Sequence, residues 1–363
     1  MGGAASAAPF VFLRQNRMQT GFDGGGFVRV GMVGTGAISA LHATAYKNIG
    51  FELVACTNST AAKGREFAAK HGAEFVETVE ELCAHPRIDF VDVCTMPNFR
   101  LTVVEACARH GKHVMVEKPM STELETARRM IEAARAGGVQ LGVISQKRWD
   151  DAALFLKRAL DAGRLGRIIQ ADAYVKWWRS AEYYARPIKG SWAGEGGGAL
   201  INQGIHQADL LLHLIGPVKK VSAMWQLGGL HAIESEDTVN ALLRYASGAN
   251  GVLQVSTAIW PGYPERIEIH GTAGSAIMTG NRLTTWDVQG SDEGEAPPLG
   301  SAVASGASEP LAISTVPFER QMREFAEACI EGRPPACSGE DGYRALELVR
   351  GVYRSAAEES PSA

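Results

Sequence analysis

FVRVGMVGTGAIS, residues 27–39, runs from an apolar stretch suited to a buried strand into the helical pattern AISALHATAYKNI, and its reading decides the fold. Between the two lie Gly34 and Gly36. Gly34 permits a tight turn, and Gly36 lets backbone approach a pyrophosphate that the helix N-terminus then stabilises. Ser39 stands where a third glycine or alanine is usual. A lone G-x-G also marks ordinary turns, but its place in a strand-turn-helix makes dinucleotide binding the stronger reading.

Outward from this turn, strand-like runs alternate with helical ones. FVRVGMVG, FELVACT, IDFVDVCT, HVMVEK and VQLGVIS read as strands. The intervening segments close near glycines or short loops, so residues 27–149 are expected to form a doubly wound parallel sheet, an α/β Rossmann domain with ligands beyond the strands' carboxyl ends. The second strand ends in VACTNST, where an NAD-preferring site commonly carries an acid for the ribose. Asn58 stands there instead, with Ser59, Thr60 and Lys63 close by, so NAD or NADP is expected, with NADP favoured. In VEKPM, Lys118 projects from the sheet's carboxyl edge. A solvated surface is the usual fate of a lysine, but Pro119 argues for a constrained turn that aims the amine.

Residues 150–163 read as a linking helix, and residues 150–363 as an α+β domain. IIQADAYVKWWRS alternates as a strand, placing Tyr174, Lys176 and Trp178 on one face and Val175, Trp177 and Arg179 on the other. VKKVSAMWQL, DTVNALLRYA, NGVLQVSTAIW, ERIEIHGT, GSAIMTG and RLTTWDV continue as strands joined by turn signals, which predicts a large, mainly antiparallel sheet with one open face. YVKWWRSAEYYARPIKGSW mixes aromatics with hydrogen-bond donors, a composition suited to a sugar; each tryptophan taken alone fits core or interface as well. Residues 288–312 read as a polar loop, and two closing helices are expected to pack back on the molecule.

GGGALINQGIHQADLLLHLIG, residues 196–216, reads as a helix that is rich in leucine and carries Asn202, His206, Asp209 and His213. Asn202 and His206 are one turn apart and share a face. His206, Asp209 and His213 suggest metal ligands by type, but three ligands over two turns of one straight helix converge poorly, so no metal is expected. His213 reads as structural.

Composition narrows the function classes. The 363 residues are 45% hydrophobic and carry a net charge of -4, enough for sizeable cores and without the basic excess that nucleic acid or an anionic membrane surface would require. Cys56, Cys83, Cys94, Cys107, Cys329 and Cys337 show no CxxC pairing, which suits a reducing cytoplasm. No apolar run approaches a membrane span. Residues 1–26 lack the pattern of a signal peptide and read as a disordered extension.

GMVGTGAIS, VCTMPN, VEKPM and GGGALINQGIH, in this order, resemble the Gfo/Idh/MocA oxidoreductases from Val28 to about Ala356. The resemblance implies bound NAD or NADP, a sugar, sugar-derivative or cyclitol substrate, and a homodimer or homotetramer formed through the open sheet. It assigns cofactor contacts to Gly34, Gly36, Ala37, Ile38, Asn58, Ser59, Thr95, Met96, Glu117 and Lys118. Substrate contacts are expected from Arg148, Lys176, Trp178, Tyr183, Asn202 and His206. The family's catalytic lysine and histidine match Lys118 and His206, with Asn202 where many members carry aspartate; an asparagine can orient a group but takes up no proton near neutral pH. Arg100 and Met96 depart from the family's usual histidine and proline. His206 is then the general base, Lys118 a donor to the reacting oxygen, and Asn202 an orienting group for the hydroxyl or the ring. A non-catalytic dinucleotide sensor and an NAD-dependent glycoside hydrolase acting by transient oxidation are the alternatives.

Overall fold

Six short runs pair as a parallel sheet in the first half of the chain: β1 (Arg29–Val33), β2 (Glu52–Thr57), β3 (Glu74–Phe75), β4 (Phe90–Val93), β5 (His113–Val116) and β6 (Leu141–Val143), in the order β3-β2-β1-β4-β5-β6. The computed structural model describes residues 28–291 and 314–359. The expectations for residues 1–26, and for the polar loop beyond Ser291, lie outside the described residues. Helices α1 (Ala37–Ile49), α2 (Ala61–His71), α3 (Val79–Ala84), α4 (Arg100–Arg109) and α5 (Leu124–Ala136) connect the strands. Every residue of β4 is buried, Asp92 included, because helices cover both faces of such a sheet. The strand order reverses between β1 and β4, and this opens a crevice at their carboxyl ends. The five strands read from sequence are all present. The sixth, β3, spans only Glu74–Phe75, too short for alternation to reveal it.

After α6 (Asp151–Asp161), the second half builds a sheet from β7 (Ile168–Lys176), β8 (Val218–Leu227), β9 (Glu236–Tyr245), β10 (Asn250–Ser256), β11 (Arg266–Gly271), β12 (Gly274–Thr279) and β13 (Arg282–Val288). Its order is β13-β12-β11-β7-β10-β9-β8. Neighbours are antiparallel except β7 and β10, which run parallel. In β9, Val239, Ala241, Leu243 and Tyr245 are buried while Asn240, Leu242 and Arg244 are exposed, the alternation of a sheet with one open face.

Between β7 and β8 come α7 (Ala181–Tyr184), α8 (Trp192–Glu195) and α9 (Ile205–Ile215). The single helix expected over 196–216 is interrupted. Gly196 and Gly197 have φ of 77° and 148°, values that side-chain-bearing residues rarely adopt. A Cβ on Gly198 would stand 1.9 Å from the Glu236 carbonyl oxygen. The glycine run therefore passes hard against β9, and Leu200–Gly204 widen into a π-type turn before α9 begins.

The last helices, α10 (Val316–Glu331) and α11 (Gly339–Glu359), return to the body of the molecule. Phe318, Met322 and Phe325 of α10 share a core with Tyr46, Phe90 and Met115. On α11, Tyr353 is buried; its hydroxyl donates to Glu236 Oε1 at 2.8 Å and accepts from the Ile201 N–H at 3.2 Å. Glu236 also accepts from the N–H groups of Gly198 and Leu200. Burial pushes its carboxyl up to about 7, against those donors. Among the described residues, no helix is long and apolar enough to cross a membrane.

Candidate active site

Gly34 has φ of 92°, and a Cβ there would lie 3.0 Å from the Cys94 carbonyl oxygen. Its N–H donates to Thr57 at 2.9 Å, tying the ends of β1 and β2. Gly36 precedes the first turn of α1, and a Cβ on it would meet nothing within 4 Å. Exposed backbone at the positive end of a 13-residue helix fits an anionic pyrophosphate, so the residues present suit a dinucleotide. Ser39 locks this turn: its buried hydroxyl donates to the Gly34 carbonyl and accepts from the Gly36 N–H. Beside it, Asn58 Oδ1 accepts from the Thr60 N–H at 3.0 Å and Nδ2 donates to the Thr35 hydroxyl. Ser59 is exposed.

The next wall is held by Arg100. Its Nε and Nη2 donate to the Thr95 carbonyl at 3.0 and 2.6 Å, and its Nη1 to the carbonyls of Glu117 and Pro119. The residue standing in place of the family's histidine thus clamps the loop after β4 to the turn after β5.

A cleft of about 380 Å³ runs past Ala37, Ile38, Thr95, Met96, Glu117 and Lys118 to a second wall formed by Trp177, Arg179, Tyr183, Lys189, Glu195, Asn202, Gln203 and His206. Lys118 and His206, distant in sequence, both line it. Lys118 Nζ donates to the Asn202 carbonyl at 2.8 Å. Burial lowers the Lys118 ammonium to about 8, with Glu117 opposing. Burial also moves His206 well below its ordinary value, and the charges of Lys118 and Lys147 push the same way. At neutral pH the site therefore pairs a neutral imidazole with a protonated amine.

Asn202 lines the cleft, but its side-chain amide donates to Glu195 Oε2 at 3.2 Å and to the Gly198 carbonyl at 3.1 Å. The π-type turn directs the amide nitrogen there, away from the hydroxyl or ring it was expected to orient. Glu195 also accepts from the Gly190 N–H at 3.0 Å and pairs with Lys189.

Three expected substrate contacts lie elsewhere. Arg148 is buried against Asp209, with Nε and Nη2 at 2.8 and 2.6 Å from its two oxygens. Both groups are consumed, Asp209 as a metal ligand included, and burial and Arg148 hold the nearby His213 down to about 4. Lys176 is exposed, with its amine over the Tyr174 ring. Trp178 packs edge-on against Trp260. Alternation along β7 correctly separates two faces, but it does not tell which one faces the cleft; Trp177 and Arg179 do. Tyr183 reaches the cleft, where its hydroxyl accepts from Gln203 Nε2 at 3.0 Å. Lys189 falls within the aromatic and donor-rich stretch read as suited to a sugar, whereas nothing local in the sequence marks Glu195 and Gln203.

Known proteins share this fold. A model described as an oxidoreductase family with an NAD-binding Rossmann fold matches residues 28–145, and the Gfo/Idh/MocA C-terminal domain matches residues 154–277. The chain belongs to the Gfo/Idh/MocA family. As such it is an NAD(P)-dependent oxidoreductase. Among Gfo/Idh/MocA relatives, it is 32% identical to 1,5-anhydro-D-fructose reductase of Ensifer adhaerens, covering 91% of this chain and 96% of that one. It is 30% identical to myo-inositol 2-dehydrogenase of Thermotoga maritima over 90% and 96% of the two chains. The WlbA dehydrogenase of Bordetella pertussis, solved with NADH and UDP-GlcNAcA, superposes with a TM-score of 0.82 at 28% identity, over 93% of this chain and 99% of that one.

Proposed function

We propose that this oxidoreductase interconverts a secondary alcohol and its ketone on a sugar, sugar derivative or cyclitol. The observation that carries the reading is that Lys118 and His206 line one cleft that reaches Ala37 and Ile38, the first residues of α1 after the Gly34–Gly36 turn. The names of the reductase and dehydrogenase relatives support the substrate class. When bound, the nicotinamide cofactor supplies the hydride acceptor or donor. Neutral His206 takes the proton of the reacting hydroxyl, and the Lys118 ammonium donates a hydrogen bond to the oxygen as negative charge develops there. The Asn202 carbonyl holds Lys118 in place, a role for backbone rather than for the amide. Trp177 and Tyr183 offer ring faces to a sugar's C–H groups, while Arg179 and Lys189 donate to its hydroxyls.

Residues 27–149 carry the cofactor and residues 150–363 the substrate and subunit contacts. Gly36, Ala37 and Ile38 hold the pyrophosphate end, and Thr95, Met96 and Glu117 the nicotinamide end. NADP is favoured over NAD: Asn58 offers no carboxylate against a 2′-phosphate, and exposed Ser59 offers it a hydroxyl. A homodimer or homotetramer forms through the open sheet, where Leu242 pairs with Val252 and exposed Met224 lies diagonally beside them. Cys83 and Cys107, free thiols that share a hydrogen bond at 3.6 Å, fit the cytoplasm.

The test is a nicotinamide-absorbance screen of sugars, sugar acids and inositols with NAD and NADP in parallel. Turnover of at least one polyol with a preference for NADP is expected, and Asn58→Asp should shift that preference toward NAD. A complete absence of nicotinamide reduction or oxidation across the panel overturns the reading.

A further inference from the structure

Behind the cofactor wall of the cleft, His42 of α1 meets Asp92 of β4 and Cys94 just beyond that strand. His42 Nδ1 lies 2.8 Å from Asp92 Oδ2 and 3.4 Å from Cys94 Sγ. Cys94 Sγ lies 3.7 Å from Asp92 Oδ1. Around tetrahedral zinc, with bonds of about 2.0 Å to nitrogen and oxygen and about 2.3 Å to sulfur, the corresponding edges are about 3.3, 3.5 and 3.5 Å. The two edges to Cys94 stand close to that spacing, whereas His42 Nδ1 and the Tyr46 hydroxyl both hydrogen-bond Asp92 Oδ2 at 2.8 Å, so an ion must open the His42–Asp92 contact by about 0.5 Å and take Asp92 through Oδ1. The spacing 42, 92, 94 carries no local motif, so sequence reading passes over it.

Two further observations point to a bound ion. The other ring nitrogen, His42 Nε2, lies 3.2 Å from Glu117 Oε1, within ion-pair range but without an aligned hydrogen bond, so a small turn of the ring would complete one. A metal-bound histidine characteristically donates its second N–H to a carboxylate, which fixes the ring and raises its basicity. Access also exists: His42 and Asp92 are fully buried, whereas Cys94 is only partly so and lines the cleft. An ion held here would keep its remaining coordination position toward that opening. Thiolate, imidazole and carboxylate together suit zinc or cobalt rather than magnesium or calcium.

We propose that His42, Asp92 and Cys94 form a binding site for a zinc-like divalent ion, and that this ion and the dinucleotide exclude each other. The cluster shares its wall with Ile38, Thr95 and Met96, so an ion on Cys94 occupies the floor on which the cofactor would rest. Binding exchanges the Cys94 thiol proton and the proton on His42 Nδ1 for the metal. Both protons go to solvent, no electrons move, and His42 keeps its Nε2 proton toward Glu117.

The test uses the full chain without added cofactor. Cobalt(II) titration should produce a thiolate charge-transfer band that saturates at one equivalent, and zinc calorimetry should give the same stoichiometry. Cys94→Ser should abolish the band. Glu117→Gln should weaken zinc about tenfold or more by removing the carboxylate behind the ring. One equivalent of zinc should weaken NADH binding, followed by fluorescence, at least tenfold in the parent chain and leave it unchanged in Cys94→Ser. His42 is buried and His42→Asn risks misfolding, so Cys94→Ser carries the decision. An absent band, or one that survives Cys94→Ser, overturns the site. Unaltered NADH affinity with zinc bound overturns the exclusion.

Discussion

On the parallel-sheet side of the cleft the frame is set by backbone: Gly34 in a left-handed conformation, Gly36 bare before α1, and the carbonyls of Thr95, Glu117 and Pro119 gathered by Arg100. On the facing side it is made of side chains, those of Trp177, Arg179, Tyr183, Lys189 and Glu195, leaving a strand end and two short helices. The first wall can bind one conserved chemical shape with few residue choices. The second can change its occupant by changing side chains while β7 and α9 stay where they are.

This contrast can be broken at several points. The largest effect should come from Arg148→Ala, which strands the Asp209 charge in the core and should cost about 3–5 kcal/mol in urea unfolding; a loss below about 1 kcal/mol would deny the pair its role in holding α9. Next, Lys118→Ala and His206→Ala should each lower turnover roughly a hundredfold or more, with NADH affinity largely retained because neither supplies the glycine cradle. Normal turnover in both would dissolve the catalytic assignment.

The pH profile gives a smaller, graded test. Lys118 must stay protonated to donate, and its amine sits at about 8, so kcat/KM for alcohol oxidation should fall about tenfold per unit above that pH. His206 must be neutral, and it titrates well below its ordinary value, so the acid-side loss should begin below pH ~6.5. Lys118→Arg should remove the alkaline limb; a rate that climbs through pH 8 would instead make Lys118 the base. Smallest is the comparison along β7: Arg179→Ala should raise KM about tenfold, the scale of one charged hydrogen bond, while Lys176→Ala on the exposed face should stay within about twofold. Equal effects would return the substrate to the face first read from sequence.

The same contrast explains what the sequence disclosed. Gly34 is legible because only glycine meets the backbone demand there, Gly36 because a bare position before a helix completes the strand-turn-helix signal, and the run before them is apolar because both sheet faces are covered. Lys118 and His206 are legible through the motifs around them. Trp177 was passed over for Trp178 because alternation has a period and no absolute phase. Arg148 looked like a substrate ligand since its partner, Asp209, lies 61 residues away. The glycine run concealed the π-type turn, because its cause, the carbonyl of Glu236, belongs to a distant strand.

Tyr353 lies within the last described helix, yet its hydroxyl is spent on Glu236 and on the N–H of Ile201, at the foot of the segment that carries His206. The segment that carries His206 is therefore footed on a residue 152 positions further along the chain, so its placement depends on α11 being docked.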